Sequence, residues 1–321
     1  MFIQARGKMR QNRRIIGVGR LLRETFVYVI FFCEYCTIMV YRTLHRSNTT
    51  AMLQVLICTH NEGILEVPSI LLPEAEGIGY VVSMQYSDFQ YLGLIPSILC
   101  RRRDVLLHTL EGRGLSANRN HALEMASADI CVIADDDVRY TLDELRRIEA
   151  EHAAHPEADV LLFQARGPKG ELLKNYPQHA FDYGRQPKGY YPSSIEITFK
   201  RERVKDVSFD LRFGMGSGLF VSGEEEVWLN TLYRKHQHTI RYIPFPIVQT
   251  LDTPQGGRNF ATRPEQQQAK GATLYYIHGL SAWLRCLKEA WTATHRVKGA
   301  SFVATFRNTI KGIMFIMKTG R

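Results

Sequence analysis

GRGLSANRNHALEMASADICVIADDDV, residues 112–138, joins a helix-like segment to a continuous apolar run that ends in three aspartates. The run ICVIA (130–134) has the unalternated, β-branched composition of a short strand buried on both faces. Adjacent carboxylates repel one another, so Asp135, Asp136 and Asp137 need a compensating influence. A divalent metal is one answer and ordinary loop solvation is the other.

Working outward, LQVLIC (53–58), YVVSMQ (80–85), VLLHTL (105–110) and DVLLF (159–163) are apolar runs of the same kind. Between them lie LSANRNHALEMASA (115–128) and TLDELRRIEAEHAA (141–154), both helix-like. Thr141 with Glu144 three residues on is a capping box for the second helix. Strands alternating with helices predict an α/β fold with a mostly parallel sheet covered on both faces. In such sheets ligands bind beyond the carboxyl ends of strands. That is where THNEG (59–63), QYSD (85–88) and the aspartate triplet fall.

Hard divalent cations prefer oxygen ligands, and a D-x-D at a strand end supplies two of them. Alternate residues of extended chain point the same way, so Asp135 and Asp137 converge while Asp136 turns aside.

The opening stretch resembles the nucleotide-sugar-binding half of family 2 glycosyltransferases. Gly114, Ser116, Arg119, Asn120, Ala122, Ala126, Asp129, Asp135 and Asp137 fit that family's pattern in order. LQVLICTHNE (53–62) resembles its first strand and Thr-x-Asn turn, and FGMGSGLFVSGEEEVWL (213–229) its acceptor-side Gly-Glu-Asp/Glu motif. The similarity runs over residues 52–255. It implies a GT-A fold, Rossmann-like with helices on both faces, and inverting transfer of a sugar from a nucleoside diphosphate. Asp135 and Asp137 would be the metal ligands, for Mn²⁺ or Mg²⁺. Thr59, Asn61, Glu62, Arg119, Asp135 and Asp136 would line the donor site. Glu225 would be the base, with Glu224 the alternative.

Ser222 and Glu225 also read as a helix-capping box, and Trp228 as core. Two places depart from the family. After the second strand SMQYSD offers only Gln85 and Asp88 in place of consecutive acids. IVQTLDTPQGG (247–257) lacks the late metal-binding His and leaves Asp252 as an oxygen ligand.

The net charge is +9, and its distribution excludes a basic nucleic-acid groove. Residues 1–46 carry nine Lys/Arg against two Glu, and residues 281–321 carry eight against one. Each end is therefore +7, and the 234 residues between sum to −5. Basic ends on an acidic body fit an anionic membrane surface. The six cysteines form no zinc pattern: Cys33-x-x-Cys36 has no second pair or His cluster. A reducing cytosolic setting fits them.

Residues 1–51 form a basic, apolar extension. Its run Thr25–Tyr41 carries Glu34 and reads as a short anchor, an interfacial helix or a dispensable segment ahead of Met52. Residues 256–321 read as a helical extension. Phe302, Val303, Phe306, Ile310, Ile313, Met314 and Met317 make an apolar stripe, with Arg307, Lys311 and Lys318 among them. That helix either lies in a membrane interface or packs its stripe on the body. The expected protein is a transferase at the cytoplasmic face of the cell membrane, acting on a saccharide or lipid-linked acceptor in surface polysaccharide synthesis. Its rivals are a nucleotidyltransferase of related fold and a catalytically silent binding protein. The first is disfavoured because THNEGILEVP (59–68) has one Gly and no Lys or Arg.

Overall fold

The computed structural model describes residues 52–251 and 260–321. Of the first 51 residues it describes only an antiparallel pair of two-residue strands, Phe32–Cys33 with Cys36–Thr37. The anchor, interfacial-helix and Cys-x-x-Cys readings of that segment, and Asp252, lie outside the described residues.

Four strands run parallel side by side: β1 (Leu53–His60), β2 (Ile78–Tyr86), β3 (Val105–Glu111) and β4 (Ile130–Ala134). Five more complete the sheet: β5 (Val138–Arg139), β6 (Val160–Arg166), β7 (Phe181–Asp182), β8 (Ile197–Lys200) and β9 (Ile240–Thr250). The order is β3-β2-β1-β4-β8-β6-β9-β5, with β7 on β9. β8 is antiparallel to both neighbours, β9 is parallel to β6, and β5 and β7 are antiparallel to β9.

Alternation along β1 explains the layers. Leu53, Val55 and Ile57 enter one core with Leu145 and Ile148 of α2 (Leu142–Ala154). Leu56 and Cys58 enter the other, with Ala122 and Leu123 of α1 (Leu115–Met125) and Trp228, Leu229 and Leu232 of α3 (Glu224–Lys235). Side chains of period two on a sheet buried on both faces need apolar residues at every position, hence the unbroken runs. Thr141 caps α2 as expected: its hydroxyl accepts from Glu144 N–H, and the Glu144 carboxylate accepts from Thr141 N–H.

Three helices follow the sheet: α4 (Pro264–His278), α5 (Ala282–Arg296) and α6 (Phe302–Thr319). A Cβ on Gly271 would overlap the Thr309 carbonyl, and one on Gly312 the Gln268 carbonyl, so α4 and α6 approach backbone to backbone. That approach decides which face of α6 is buried. Thr305, Asn308, Thr309, Gly312, Ile313 and Ile316 are inside, whereas Phe302, Val303, Met314 and Met317 are exposed. The apolar stripe is therefore divided: Ile313, with Phe306 and Ile310 against it, packs on the body, whereas Phe302, Val303, Met314 and Met317 face outward. Among the described residues, no helix is long and apolar enough to cross a membrane.

Candidate active site

The carboxyl ends of β1, β2 and β4 are tied together by side chains. Thr59 donates its hydroxyl to Asp136 Oδ2 at 2.6 Å. A Cβ at Gly63 would overlap both groups, so the THNEG turn closes onto the aspartates only because residue 63 is Gly. Asn118 on α1 donates to the Thr59 carbonyl at 2.9 Å and accepts from Ser83 Oγ at 2.5 Å. Asn61, in the left-handed region with φ 51°, is held by Ser87, whose N–H donates to Asn61 Oδ1 at 2.9 Å. Asp88 caps the following short turn by accepting from Gln90 N–H, Glu62 lies beside the Tyr91 hydroxyl, and Gln85 is buried on β2. Burial raises the Asp136 carboxyl above the usual carboxylate range. The Thr59 hydroxyl opposes that shift and the neighbouring Asp135 charge adds to it.

Arg119 sits on the inward face of α1 and is 3% exposed. Its Nη2 donates to Asp135 Oδ1 at 3.0 Å and its Nη1 to Glu224 Oε1 at 2.7 Å. Its guanidinium lies over the Phe209 ring. Burial alone would lower its pKa, but Asp135, Glu224 and Glu225 outweigh that and hold it above its ordinary value. Part of the positive charge that the aspartate triplet requires therefore comes from the protein's own α1. Ser194, which the sequence reading missed, lies 3.3 Å from Asp135 Oδ2. Asp137 begins the pairing of β5 with β9. Its carbonyl accepts from Leu251 N–H at 3.0 Å, and Thr250 Oγ1 is 3.5 Å from its Oδ2.

The segment from Phe209 to Glu226 is joined to the same cluster. Asn120 makes paired hydrogen bonds to the Phe209 backbone at 2.7 and 2.9 Å, and Ser116 Oγ donates to the Phe213 carbonyl. The expected Ser222–Glu225 capping box is absent. Gly223 is the N-cap, in the left-handed conformation, and Ser222 Oγ hydrogen-bonds to Gln266 of α4. Glu224 is drawn onto Arg119, and Glu226 onto Lys270 at 3.3 Å. Glu225 lies between them, and its Oε2 is buried with no hydrogen-bond partner among the described residues. Burial raises its pKa well above the carboxylate range; the Glu224 charge adds to this and Arg119 opposes it. Trp228 is core, stacked on Phe209 with its indole N–H donated to the Val207 carbonyl.

Asp135, Asp136, Thr59, Arg119 and Glu224 therefore form one linked cluster with Glu225 beside it, while Gln85, Glu62 and Asp88 make no hydrogen bond or ion pair to it among the described residues. Among the described residues no group of three His, Cys, Asp or Glu converges as a ready metal cage. Half-exposed carboxylates at a strand end instead suit a hard cation completed by substrate oxygens.

A family model described as glycosyl transferase family 2 matches residues 102–227, the span from before α1 to the start of α3. Over that span the chain is similar to family 2 glycosyltransferases. The glycosyltransferase fold extends beyond that span. The crystal structure of S. aureus TarS 1–349 superposes with a TM-score of 0.51 at 16% identity, covering 84% of this chain and 92% of that one. The structure of the same TarS fragment in complex with UDP gives 0.50 at 16% identity, with the same coverage. The shared architecture is GT-A. No curated protein sequence matches the chain.

Proposed function

We propose that this glycosyltransferase moves a sugar from a nucleoside-diphosphate sugar to a hydroxyl of a saccharide or lipid-linked acceptor, with inversion. The setting is cell-surface polysaccharide synthesis at the cytoplasmic face of the membrane. The observation that carries the reading is the buried Arg119 bridge, which fixes Asp135 beside Glu224 and leaves Glu225 with an unpartnered oxygen.

That arrangement supports Glu225 over Glu224 as the base, because Glu224 is committed to its ion pair. A carboxyl whose pKa is raised is a better proton acceptor near neutral pH than an ordinary one. Glu225 takes the proton of the acceptor hydroxyl. The acceptor oxygen bonds to the sugar's anomeric carbon, and the bond from that carbon to the diphosphate breaks on the opposite face. Arg119 is a positioning residue here, since both its terminal nitrogens are used by carboxylates. Thr59, Asn61 and Asp136 shape the donor pocket from behind, and Glu62, Gln85 and Asp88 border it. Asp137, with Asp135, would hold Mn²⁺ or Mg²⁺, which when bound neutralises charge developing on the leaving diphosphate. The basic ends supply the attraction to the membrane.

Thermal-shift titration with UDP-, GDP- and CMP-sugars, with and without Mn²⁺, tests this reading; UDP-sugars come first because a protein of the same fold binds UDP. The expected result is metal-dependent stabilisation by one nucleotide class. No stabilisation by any donor overturns the reading.

A further inference from the structure

Each of the last two helices carries a set of large apolar residues on its outer face, in addition to those it buries. On α5 the buried residues are Ala282, Cys286, Ala290 and Ala293. Leu284, Leu287 and Trp291, with Leu280 just ahead of the helix, are 72, 39, 58 and 76% exposed in that order. At 3.6 residues per turn these four fall within one stripe, more than a quarter-turn from the buried face. α6 repeats the arrangement: Val303, Met314 and Met317 are exposed and Ile310 is half-exposed, on the side away from Thr305, Thr309 and Ile316. Single exposed apolar residues are ordinary, but a stripe along each of two helices is not.

The charge around the stripes identifies their occupant. Lys288 borders the α5 stripe, and Arg307, Lys311 and Lys318 border the α6 stripe; all are exposed. Against the eight cations of residues 281–321 stands the single Glu289. Pairing this face with a second copy would bring like charges together, whereas an anionic bilayer complements both the apolar and the basic residues. Trp291 has the amphipathic ring that settles at headgroup depth.

We propose that α5 and α6 form a docking face for an anionic lipid bilayer. The proposal deepens the membrane placement of the reading above and rests on it. It also bears on the acceptor. Phe315 and Ile316 of α6 pack on Phe213 and Phe220, in the loop that leads to Glu224. That loop exposes Leu211, Met215 and Leu219. A bilayer under α6 would hold the acceptor side of the site close to lipid, where a lipid-linked acceptor resides.

The test is co-sedimentation of the full chain with phosphatidylcholine vesicles, with and without phosphatidylglycerol, alongside Trp emission. The expected result is binding that needs phosphatidylglycerol, weakens with salt and blue-shifts Trp emission, the shift being lost in Trp291→Phe. Leu284→Gln with Trp291→Gln should weaken binding about tenfold or more. Lys311→Gln should cost about fivefold. Both substitutions lie on exposed positions, and circular dichroism checks that the fold is kept. Three results overturn the proposal: no vesicle binding, binding indifferent to these substitutions, or a lipid-free dimer that Leu284→Gln with Trp291→Gln converts to monomer. Donor hydrolysis in solution is measured on the same variants. If neither the parent chain nor any variant processes a donor, the transferase reading fails while the docking result stands.

Discussion

Arg119 and Glu224, 105 residues apart, form a buried ion pair of 2.7 Å that joins helix α1 to helix α3. Removing one partner of such a pair leaves the other charged and unsolvated. Arg119→Met is therefore expected to lower stability by about 3–5 kcal/mol in urea unfolding. Most of that loss comes from Glu224, because the Asp135 side chain is 36% exposed and partly solvated. Adding Glu224→Gln to Arg119→Met should recover part of the loss. Simple additivity of the two substitutions would contradict the coupling.

Glu225 and Glu224 are adjacent but differently partnered, and their variants should differ accordingly. Glu225→Gln is expected to retain donor binding and lower kcat by about 10²–10⁴-fold, the usual range for loss of a positioned base. Glu224→Gln should lose stability first. In its proposed role Glu225 works only when deprotonated, and burial raises its pKa. Activity should therefore fall with acidification through a pH limb lying above the usual carboxylate range. In Glu225→Gln that limb should vanish from the profile of kcat/KM. An unchanged limb would assign the titration elsewhere.

The parallel half of the sheet was legible chiefly because β1, β2 and β4 hold unbroken apolar runs, which a strand covered on both faces requires; β3, at the sheet edge, is only partly buried. β9 was not legible, because Pro244 and Pro246 interrupt it. Its register against β6 shifts around Pro246, and Pro donates no ladder hydrogen bond, so the strand resembles a loop in sequence. β8 has only four residues, with no pattern to distinguish it. Within the site, residues 119, 135, 224 and 225 were singled out by the family resemblance. Their connection was not legible, because spacing along a chain does not reveal that Arg119 reaches both carboxylates. The Ser222–Glu225 box failed for the same reason: Arg119 draws in Glu224, and Gln266 engages Ser222.

Asp136 and Asp137 are neighbours with separable consequences. Asp137→Ala is expected to abolish the Mn²⁺-dependent part of donor stabilisation in thermal shift, leaving the metal-free melting temperature near that of the parent. Gly63→Ala attacks the other member, because its methyl group would push Thr59 away from Asp136. The expected cost is about 1–3 kcal/mol of stability even without ligand. Donor affinity that falls equally with and without Mn²⁺ in Asp137→Ala would remove that residue from the metal shell.

Acid sensitivity should arise partly at a residue remote from the site. His152 on α2 is buried, hydrogen-bonded through Nε2 to Thr198 Oγ1 at 2.8 Å, and its Nδ1 has no partner. Burial, with Lys200 and His155 nearby, lowers its pKa from 6.5 to about 3. Above pH 6.5 neither folded nor unfolded chain is protonated there, so the stability contribution is complete. Between 6.5 and 3 the unfolded chain takes up the proton and the folded one does not, so stability falls as pH falls. The slope approaches about 1.4 kcal/mol per pH unit, or about 2 kcal/mol lost by roughly pH 5. His152→Gln retains an amide for Thr198 and removes the titrating group. Its urea-unfolding free energy should fall less than that of the parent chain over the same acid range. Equal pH slopes in the two proteins would show that His152 is protonated without unfolding.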